Sequence, residues 1–252
     1  IVTIEGVSSK TLNPIQQALV DHGAIQCGFC TPGLVMAITA HFLTSSASEQ
    51  SQAIDAVSGN LCRCTGYAGI KRALKILCQQ FDLKKSNPKN RIRDLIDWKI
   101  LPSWFASTHQ QLTELKPKEK KPLISHLQQP IKVAGGTDLW VQKHQQLTDQ
   151  SLTFLDSNED INLSEQYLTI NASTRIETLR LSPLMQQLFS QIKNDFKLIC
   201  SMPVRQQATV GGNLVNASPI GDMSVFFLAL DATVVITATQ ERRNLPLRHF
   251  FK

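Results

Sequence analysis

The sequence predicts a chain of two domains, the first helical and the second a mixture of helices and strands (α+β). Apolar residues recur at helical spacing through residues 1 to about 82, whereas strand-like and helical segments alternate after about residue 122. The stretch between them holds ten basic and four acidic residues, which accounts for the whole formal charge of +6. A chain of 252 residues is long enough to bury two small cores. We therefore expect domains at 1–82 and 123–252, joined by a basic linker at 83–122.

Four helices are predicted in the first domain. Asn13–Pro14 and Thr31–Pro32 each combine a capping residue with proline at the first helical position. A third helix fits Glu49–Val57, and a fourth begins near Tyr67 with an apolar stripe that includes Cys78. Such helices pack as a small bundle, with Cys78 as an ordinary core residue.

The second domain is expected to open with a strand at Ile131–Ala134 that leads into a helix from Thr137 to about Leu147. Further strands are expected at Leu152–Leu155, Tyr167–Ala172 and Thr233–Thr239. Further helices are expected at Ile176–Leu181, Pro183–Asn194 and Asp222–Leu230, with a short one in the linker near Phe105–Leu115. We interpret this domain as incomplete, because the chain stops soon after the last strand.

The composition excludes several classes of function. The basic excess lies in a Pro- and Lys-rich linker and not on a folded face with aromatic or polar readers, so no nucleic-acid partner is expected. No apolar run approaches the roughly 18 residues of a membrane span, and no secretion signal is recognised, so we expect a cytoplasmic protein without a membrane partner. The six histidines are scattered outside any hydrolytic pattern, and we assign no catalytic residue.

Four of the six cysteines form two close pairs, Cys27 with Cys30 and Cys62 with Cys64, each just before a predicted helix. Outward-pointing amides at helix starts favour thiolates, and four converging thiolates bind zinc or an iron–sulfur cluster. A [2Fe–2S] cluster needs two thiolates on each iron. Zinc sites usually separate two CxxC pairs by about 15–20 residues, but on spacing alone both metals remain open. The helical flanks disfavour a thioredoxin-like pair, the lack of a secretion signal disfavours disulfides, and Cys200 is assigned no role.

The residues around these pairs resemble the helical [2Fe–2S] domain of the molybdenum hydroxylases, the family of xanthine dehydrogenase, aldehyde oxidase and carbon monoxide dehydrogenase. The matching stretches are Gln26–Gly33 (QCGFCTPG) and Gly59–Tyr67 (GNLCRCTGY). The resemblance implies a [2Fe–2S] cluster, with Gln26 facing a molybdopterin on a partner subunit. The implied metal ligands are Cys27, Cys30, Cys62 and Cys64.

The second domain resembles the FAD domain of the same family, which is of the vanillyl-alcohol-oxidase (PCMH) type. Two glycine-containing loops carry the resemblance. The first is Val133–Leu139 (VAGGTDL), and the second comprises Val204–Arg205, Ala208–Leu214 (ATVGGNL) and Asn216–Asp222 (NASPIGD), with Gln206 departing from the family pattern. Paired glycines let a backbone approach a pyrophosphate and donate amides to it, and neither loop has the GxGxxG spacing of a Rossmann fold. The implied FAD-binding residues are Lys132, Val133, Ala134, Gly135, Gly136, Thr137, Asp138, Leu139, Thr209, Val210, Gly211, Gly212, Asn213, Ser218 and Asp222.

The fusion of both domains in one chain resembles the iron–sulfur/FAD subunit of the xanthine dehydrogenases in this family. The resemblance implies an oxidoreductase component that passes electrons from a molybdenum centre through [2Fe–2S] to FAD and then to NAD+. Such a component forms a hetero-oligomer with a molybdenum-binding large subunit, is inactive without it, and serves purine catabolism. The alternative hypothesis is a zinc-stabilised helical interaction module with a non-redox α+β domain.

Overall fold

The chain folds as two compact units, Ile1–Glu119 and Lys120–Lys252. The computed structural model describes residues 1–8, 10–115, 130–148, 150–155, 158–237 and 241–251. The first unit is helical, and the second combines helices with three two-stranded sheets. The predicted fold class is therefore confirmed. Among the described helices, none is both long enough and apolar enough to cross a membrane.

Among its described residues, the first unit contains the four helices predicted for the first domain, the short helix predicted in the linker, and two further α-helices. Asn13 caps its helix as expected, because its side chain accepts from the Gln16 amide while the Gln16 side chain accepts from the Asn13 amide. The core is formed by buried faces of these helices, with Ile15, Leu34 and Leu74 almost fully enclosed. The helices are α1 Ile4–Val7, α2 Pro14–Asp21, α3 Thr31–Thr44, α4 Gln50–Ala56, α5 Ala68–Gln80, α6 Arg91–Asp97 and α7 Phe105–Glu114.

The described part of the expected linker, 83–115, is folded as part of the first unit. Leu83, Leu95 and Ile100 are buried in the same core as the four predicted helices. Arg91 is only 5% exposed, and its Nη1 donates to the carbonyl oxygens of Phe42 (2.9 Å) and Ser45 (2.6 Å) at the end of α3. The segment is thus not simply a solvated connector, since its apolar residues bury themselves between the charged ones. Residues 116–122 lie outside the described residues.

The second unit contains three small sheets. Strand β1 (Ile131–Val133) pairs in parallel with β2 (Leu152–Phe154), as expected for strands separated by a helix. Strands β3 (Ile161–Leu163) and β4 (Leu168–Ile170) form an antiparallel hairpin, as do β5 (Thr233–Thr237) and β6 (Arg242–Pro246). β3 and β6 were not predicted, because β3 has only two apolar residues within a polar stretch and β6 is rich in exposed polar residues. The last residues of the expected strand Thr233–Thr239 lie outside the described residues.

Seven helices are described in the second unit. The expected helix at 183–194 is two helices, because Phe189 is extended (φ −131°, ψ 90°) and ends the first of them. The apolar faces of the helices of the second unit meet in a core of their own, which includes Leu179, Met185 and Met223. The helices are α8 Thr137–Leu147, α9 Ile176–Leu181, α10 Pro183–Leu188, α11 Ile192–Asp195, α12 Met202–Arg205, α13 Val210–Asn216 and α14 Asp222–Ala229.

Candidate functional sites

The four paired cysteines lie on two loops of the first unit that precede helices. Cys30 is the N-cap of α3, and Gly28 beside it adopts φ +82°, a conformation that suits glycine. Cys62 and Cys64 lie in the loop before α5, whose N-cap Tyr67 is left-handed (φ 64°). Both loops therefore turn sharply where they meet a helix, as their spacing predicted.

Two glycines allow the cysteine loops to approach each other. A Cβ atom on Gly69 would lie 2.7 Å from the carbonyl carbon of Gly23 and closer still to its oxygen, so α5 rests directly on the turn after α2. A Cβ atom on Gly33 would lie 2.8 Å from Nδ2 of Asn60, just before the second loop. Arg72 adds a hydrogen bond of 3.0 Å to the carbonyl oxygen of His22. The four cysteines thus come together through one backbone-to-backbone contact, at Gly69, and two side-chain contacts.

The sulfur atoms meet as two pairs. The Cys64 thiol lies 3.5 Å from Sγ of Cys27, and Cys30 and Cys62 lie close enough for each to influence the pKa of the other. Within the described part of the chain, no group of three or more cysteine, histidine or carboxylate side chains is arranged to hold a single metal ion. Four neighbouring thiols supply the two thiolates that each iron of a [2Fe–2S] cluster needs. The donor set therefore fits the cluster that the resemblance implied.

The four thiols differ in acidity. The hydroxyl of Thr65, with the amides of Thr65 and Cys64, lowers the pKa of Cys62 to about 7. The Phe29 amide likewise lowers the pKa of Cys27. Burial raises the pKa of Cys30, and the hydrogen bond with Cys27 raises that of Cys64. Each pair thus combines one thiol that ionises readily with one that does so less readily, because burial or the neighbouring thiol outweighs the amide hydrogen bonds at Cys30 and Cys64.

Thr65 and Tyr67, both within the second cysteine motif, hold its loop in place, although no role was predicted for them. The Cys62 amide donates to the Tyr67 hydroxyl oxygen (3.0 Å), and the Tyr67 amide donates to Oγ1 of Thr65 (3.2 Å). The Thr65 hydroxyl also lies 3.1 Å from Sγ of Cys62. A hydroxyl three residues after a cysteine, followed by an aromatic residue at the helix start, is the signal that could have revealed them.

The surface around the cysteines is apolar. The four cysteines line a cleft of about 510 Å³ together with Phe29, Leu61, Arg63 and Tyr67. Phe29 is 92% exposed and Leu61 is 80% exposed, although both are large apolar side chains. Gln26 is exposed immediately before Cys27 but is not among the residues that line the cleft.

The first glycine loop of the second unit joins β1 to α8. Val133 is the last residue of β1, and Gly136 is a left-handed N-cap (φ 73°) without a side-chain cap. Among the described residues, no main-chain hydrogen bond is donated by the amides of 135–139. The positive end of α8 and these amides are therefore available to a phosphate, which is what the resemblance implied for this loop.

The second glycine loop is arranged differently. Thr209 caps α13 through its hydroxyl, which accepts from the Gly212 amide at 3.1 Å. The Val210 amide donates to the Thr174 carbonyl (2.9 Å), and the Gly211 amide donates to the Ala172 carbonyl (2.8 Å). The amides of Val210, Gly211 and Gly212 therefore donate to groups within the protein. The expectation that both loops hold a phosphate with the amides of their paired glycines does not hold for these three amides. Gly211 is needed here because a Cβ atom would lie 2.9 Å from the Ala172 carbonyl oxygen.

The structure brings the two loops into direct contact. A Cβ atom on Gly135 would lie 2.6 Å from the carbonyl carbon of Gln207 and closer to its oxygen. The side chains of Gln142 and Asn216 join the following helices through a hydrogen bond of 3.1 Å. Gly221 precedes Asp222 and lies close to Asn213 and Ser218. A Cβ atom on Gly221 would lie 3.1 Å from Oδ1 of Asn213 and 3.1 Å from the carbonyl oxygen of Ser218. These residues thus form one continuous site.

The fold and these sites define an iron–sulfur flavoprotein with separate units for the two cofactors. Residues 3–75 match the sequence profile of the "[2Fe-2S] binding domain", and residues 99–252 match that of the "FAD binding domain in molybdopterin dehydrogenase". The second match covers more than half of the chain. The protein belongs to this molybdopterin dehydrogenase, or molybdenum hydroxylase, family.

Known proteins of the family resemble this chain at modest identity. A xanthine dehydrogenase/oxidase of Felis catus is 24% identical over 303 aligned positions, which cover 100% of this chain and 23% of the relative. Aldehyde oxidase 1 of Oryctolagus cuniculus is 43% identical over 84 residues, which cover 32% of this chain and 6% of the relative. A carbon monoxide dehydrogenase structure from Hydrogenophaga pseudoflava is 26% identical, with a TM-score of 0.44 and coverage of 48% of this chain and 44% of that one. The chain thus spans about a quarter of the length of the full-chain relatives.

Proposed function

We propose that this chain is the electron-transfer part of a molybdenum hydroxylase of the xanthine dehydrogenase type. In this proposal Cys27 and Cys64 bind one iron of a [2Fe–2S] cluster, and Cys30 and Cys62 bind the other. The observation that carries it is the convergence of four thiols from two loops on one cleft, in a unit whose sequence matches a [2Fe–2S] domain. When bound, the cluster supplies one-electron transfer, while the chain sets its exposure and surroundings.

The second unit binds FAD without a covalent link in this proposal. The first loop, 132–139, faces the pyrophosphate through its amides and the positive end of α8. The second loop supports the first through Gly135, and Asn213, Ser218 and Asp222 complete the site. FAD bound there would supply the flavin chemistry that links one-electron transfer from the cluster to the reduction of NAD+.

The protein partner is a molybdenum-binding subunit, whose molybdopterin faces Gln26 and the cysteine cleft. The exposed side chains Phe29 and Leu61 support this, because large apolar surfaces next to a redox site are typical of an interface. A purine is the proposed substrate of the complex, and this chain without the partner is expected to be inactive toward it. A cytoplasmic location belongs to the same proposal, since the four ligand thiols need a reducing compartment.

Metal and flavin analysis of the natively produced, anaerobically purified holoprotein tests the proposal. We expect iron and acid-labile sulfide to approach two per chain, together with FAD, molybdenum and xanthine-dependent reduction of NAD+. Cys62→Ser should lower iron and sulfide together, whereas the control Cys200→Ser should leave both unchanged. One zinc per chain without sulfide would contradict the cluster and favour the zinc-stabilised module. Xanthine turnover by the chain free of molybdenum would contradict the proposal that a separate molybdenum-binding subunit oxidises the substrate.

A further inference from the structure

A buried arginine lies just before the contact between the two flavin loops. Arg205, the last residue of α12, is 3% exposed. Its Nη1 donates to three main-chain carbonyl oxygens, those of Lys197 (3.1 Å), Ile199 (3.0 Å) and Cys200 (2.6 Å). Its Nε donates to a carboxylate oxygen of Glu177 at 2.7 Å. One guanidinium therefore ties the segment 197–205 to α9.

Glu177 is shared by a second arginine. Nε and Nη2 of Arg180 donate to its carboxylate at 3.0 Å and 2.6 Å, and Nη1 of Arg180 donates to the Lys193 carbonyl at 2.9 Å. The side chains of Glu177 and Arg180 are 12% and 13% exposed. A buried Arg–Glu–Arg group of this kind is a weak source of stability, because taking the charges out of water offsets much of their attraction. We therefore look for the role of this group in the relative positions of the segments that it joins.

That geometry is the junction between the two loops. The Ala208 carbonyl, three residues after Arg205, accepts from the Ile176 amide at 2.9 Å, next to Glu177. The Ala208 amide in turn donates to the Val204 carbonyl at 2.8 Å. The carbonyl of Gln207 is the group that meets Gly135 of the first loop. Arg205 and Glu177 thus fix the chain before and after Gln207, the residue whose carbonyl contacts Gly135 of the first loop.

We propose that Arg205, with Glu177, is a positioning residue for flavin binding. It holds Gln207 and Ala208 against Gly135, so that the free amides of 135–139 stand at a fixed place relative to Asn213 and Asp222. It does this through another part of the chain and does not itself contact the flavin. The inference rests on the proposed function, since it assumes that the second unit binds FAD.

Equilibrium FAD binding by the holoprotein and its variants, after flavin removal, tests the inference. We expect Arg205→Gln and Glu177→Gln each to raise the FAD dissociation constant by about ten- to hundredfold, since small misplacements of binding groups cost this much. The double variant should be little worse than either single one, because both remove the same tie. Arg205→Lys should not restore binding, since an ammonium cannot reach the carboxylate and three carbonyls together.

Two controls separate positioning from general destabilisation. Ile192→Val should lower the unfolding midpoint of the second unit by trimming its core, yet leave FAD affinity unchanged. Arg248→Gln breaks the exposed pair with Asp231 in the same unit and should also leave affinity unchanged. Normal FAD affinity in Arg205→Gln and Glu177→Gln, or equal loss in Ile192→Val, would overturn the inference while the proposed function stands. A wild-type protein that binds no FAD would overturn the proposed function and this inference with it.

Discussion

At the scale of single residues, Arg91 shows how a charged side chain can belong to a core. Its guanidinium lies at the carboxyl end of α3, where carbonyl oxygens lack helical partners, and it supplies donors to Phe42 and Ser45. Its Nε donates to the Ser86 hydroxyl at 3.0 Å, and Ser86 in turn bonds to Asp94. A residue counted among the excess positive charges of a linker is thus a helix cap buried in the first unit.

Replacing Arg91 with methionine should lower the free energy of unfolding of the first unit by about 2–4 kcal/mol. The apolar stem would be kept, but two buried carbonyls would lose charged donors. Urea denaturation measures the change. Arg93→Met, on the exposed side of the same helix, is the matched control and should change stability by less than about 0.5 kcal/mol. Equal stability of the two variants would refute the role given to Arg91.

Glu177 should make the second unit sensitive to acid. Burial raises the pKa of Glu177, but hydrogen bonds from Arg180 and Arg205 and their charges outweigh it, so the folded pKa lies below its ordinary value. The stabilisation is therefore complete above the unfolded pKa of about 4.3 and is lost as pH falls through the folded pKa. Glu177→Gln should cost about 3 kcal/mol at pH 7, and the difference from wild type should shrink on acidification. A difference independent of pH between 7 and 3 would exclude this account.

At the scale of elements, both cofactor regions depend on a glycine that touches a carbonyl of a distant segment. Gly69 places α5 against the turn at Gly23, and Gly135 places the loop before α8 against Gln207. In both cases the elements approach closely because no side chain stands between them. The consequence is that the site geometry depends on positions that bind no cofactor themselves.

Gly69→Ala should reduce iron and acid-labile sulfide per chain. The added methyl group would push α5 away from Gly23 and separate the two cysteine loops, at a cost of about 1–3 kcal/mol in stability. Metal analysis of the purified variant tests this. Ala68→Ser, at the exposed neighbouring position, should retain normal iron. If Gly69→Ala kept full iron and sulfide, the loops would not depend on this contact.

Gly135→Ala should lower FAD content while leaving iron unchanged. The physical reason differs from the one that the sequence suggested, since the new methyl group meets the Gln207 backbone and not only the path of a phosphate. Flavin absorbance relative to iron in the same preparation gives the readout. Val141→Ala, on the exposed face of α8, serves as the control. Normal flavin in Gly135→Ala would show that the two loops need not touch.

Much of this architecture could be predicted because its signals are local. Asn13–Pro14, the apolar stripe of α5 and the cysteine spacing mark their elements directly in the sequence, and the helices at 137–147 and 176–181 have the expected bounds. The burial of 83–101 was not predicted, because its apolar residues are interleaved with charges and its partners lie some 50 residues earlier in the chain, as with Arg91 and Phe42. The internal use of the Val210 and Gly211 amides depends on pairing with 172–174, which no local pattern reveals.

At the scale of the whole molecule, the two units have separate cores. The first core and the residues packed on it lie between Val2 and Phe105, and the second lies between Ile161 and Phe251. Among the described residues, the buried side chains of each core all come from one unit. The chain therefore consists of two parts that fold around different sets of apolar side chains, with one cofactor region in each.

A fragment of residues 1–115 should fold alone and retain iron and sulfide. All of the first core and all four paired cysteines are within it. A fragment of residues 1–82 lacks Leu83, Arg91, Leu95 and Ile100, and we expect it to be unstable or to lose iron. Circular dichroism and iron analysis of both fragments test this. Equal behaviour of the two fragments would mean that 83–101 contributes nothing to the unit.

The glycine contacts also bear on how such a chain can diverge during evolution. A hydrogen atom is the only side chain that fits at Gly69 and Gly135 without moving a backbone carbonyl. Gly28 and Gly66 have open space around their Cβ positions and are constrained only by their positive φ, which asparagine also tolerates. In a saturation library selected for cofactor content, we expect Gly69 and Gly135 to accept no replacement, while Gly28 and Gly66 accept asparagine.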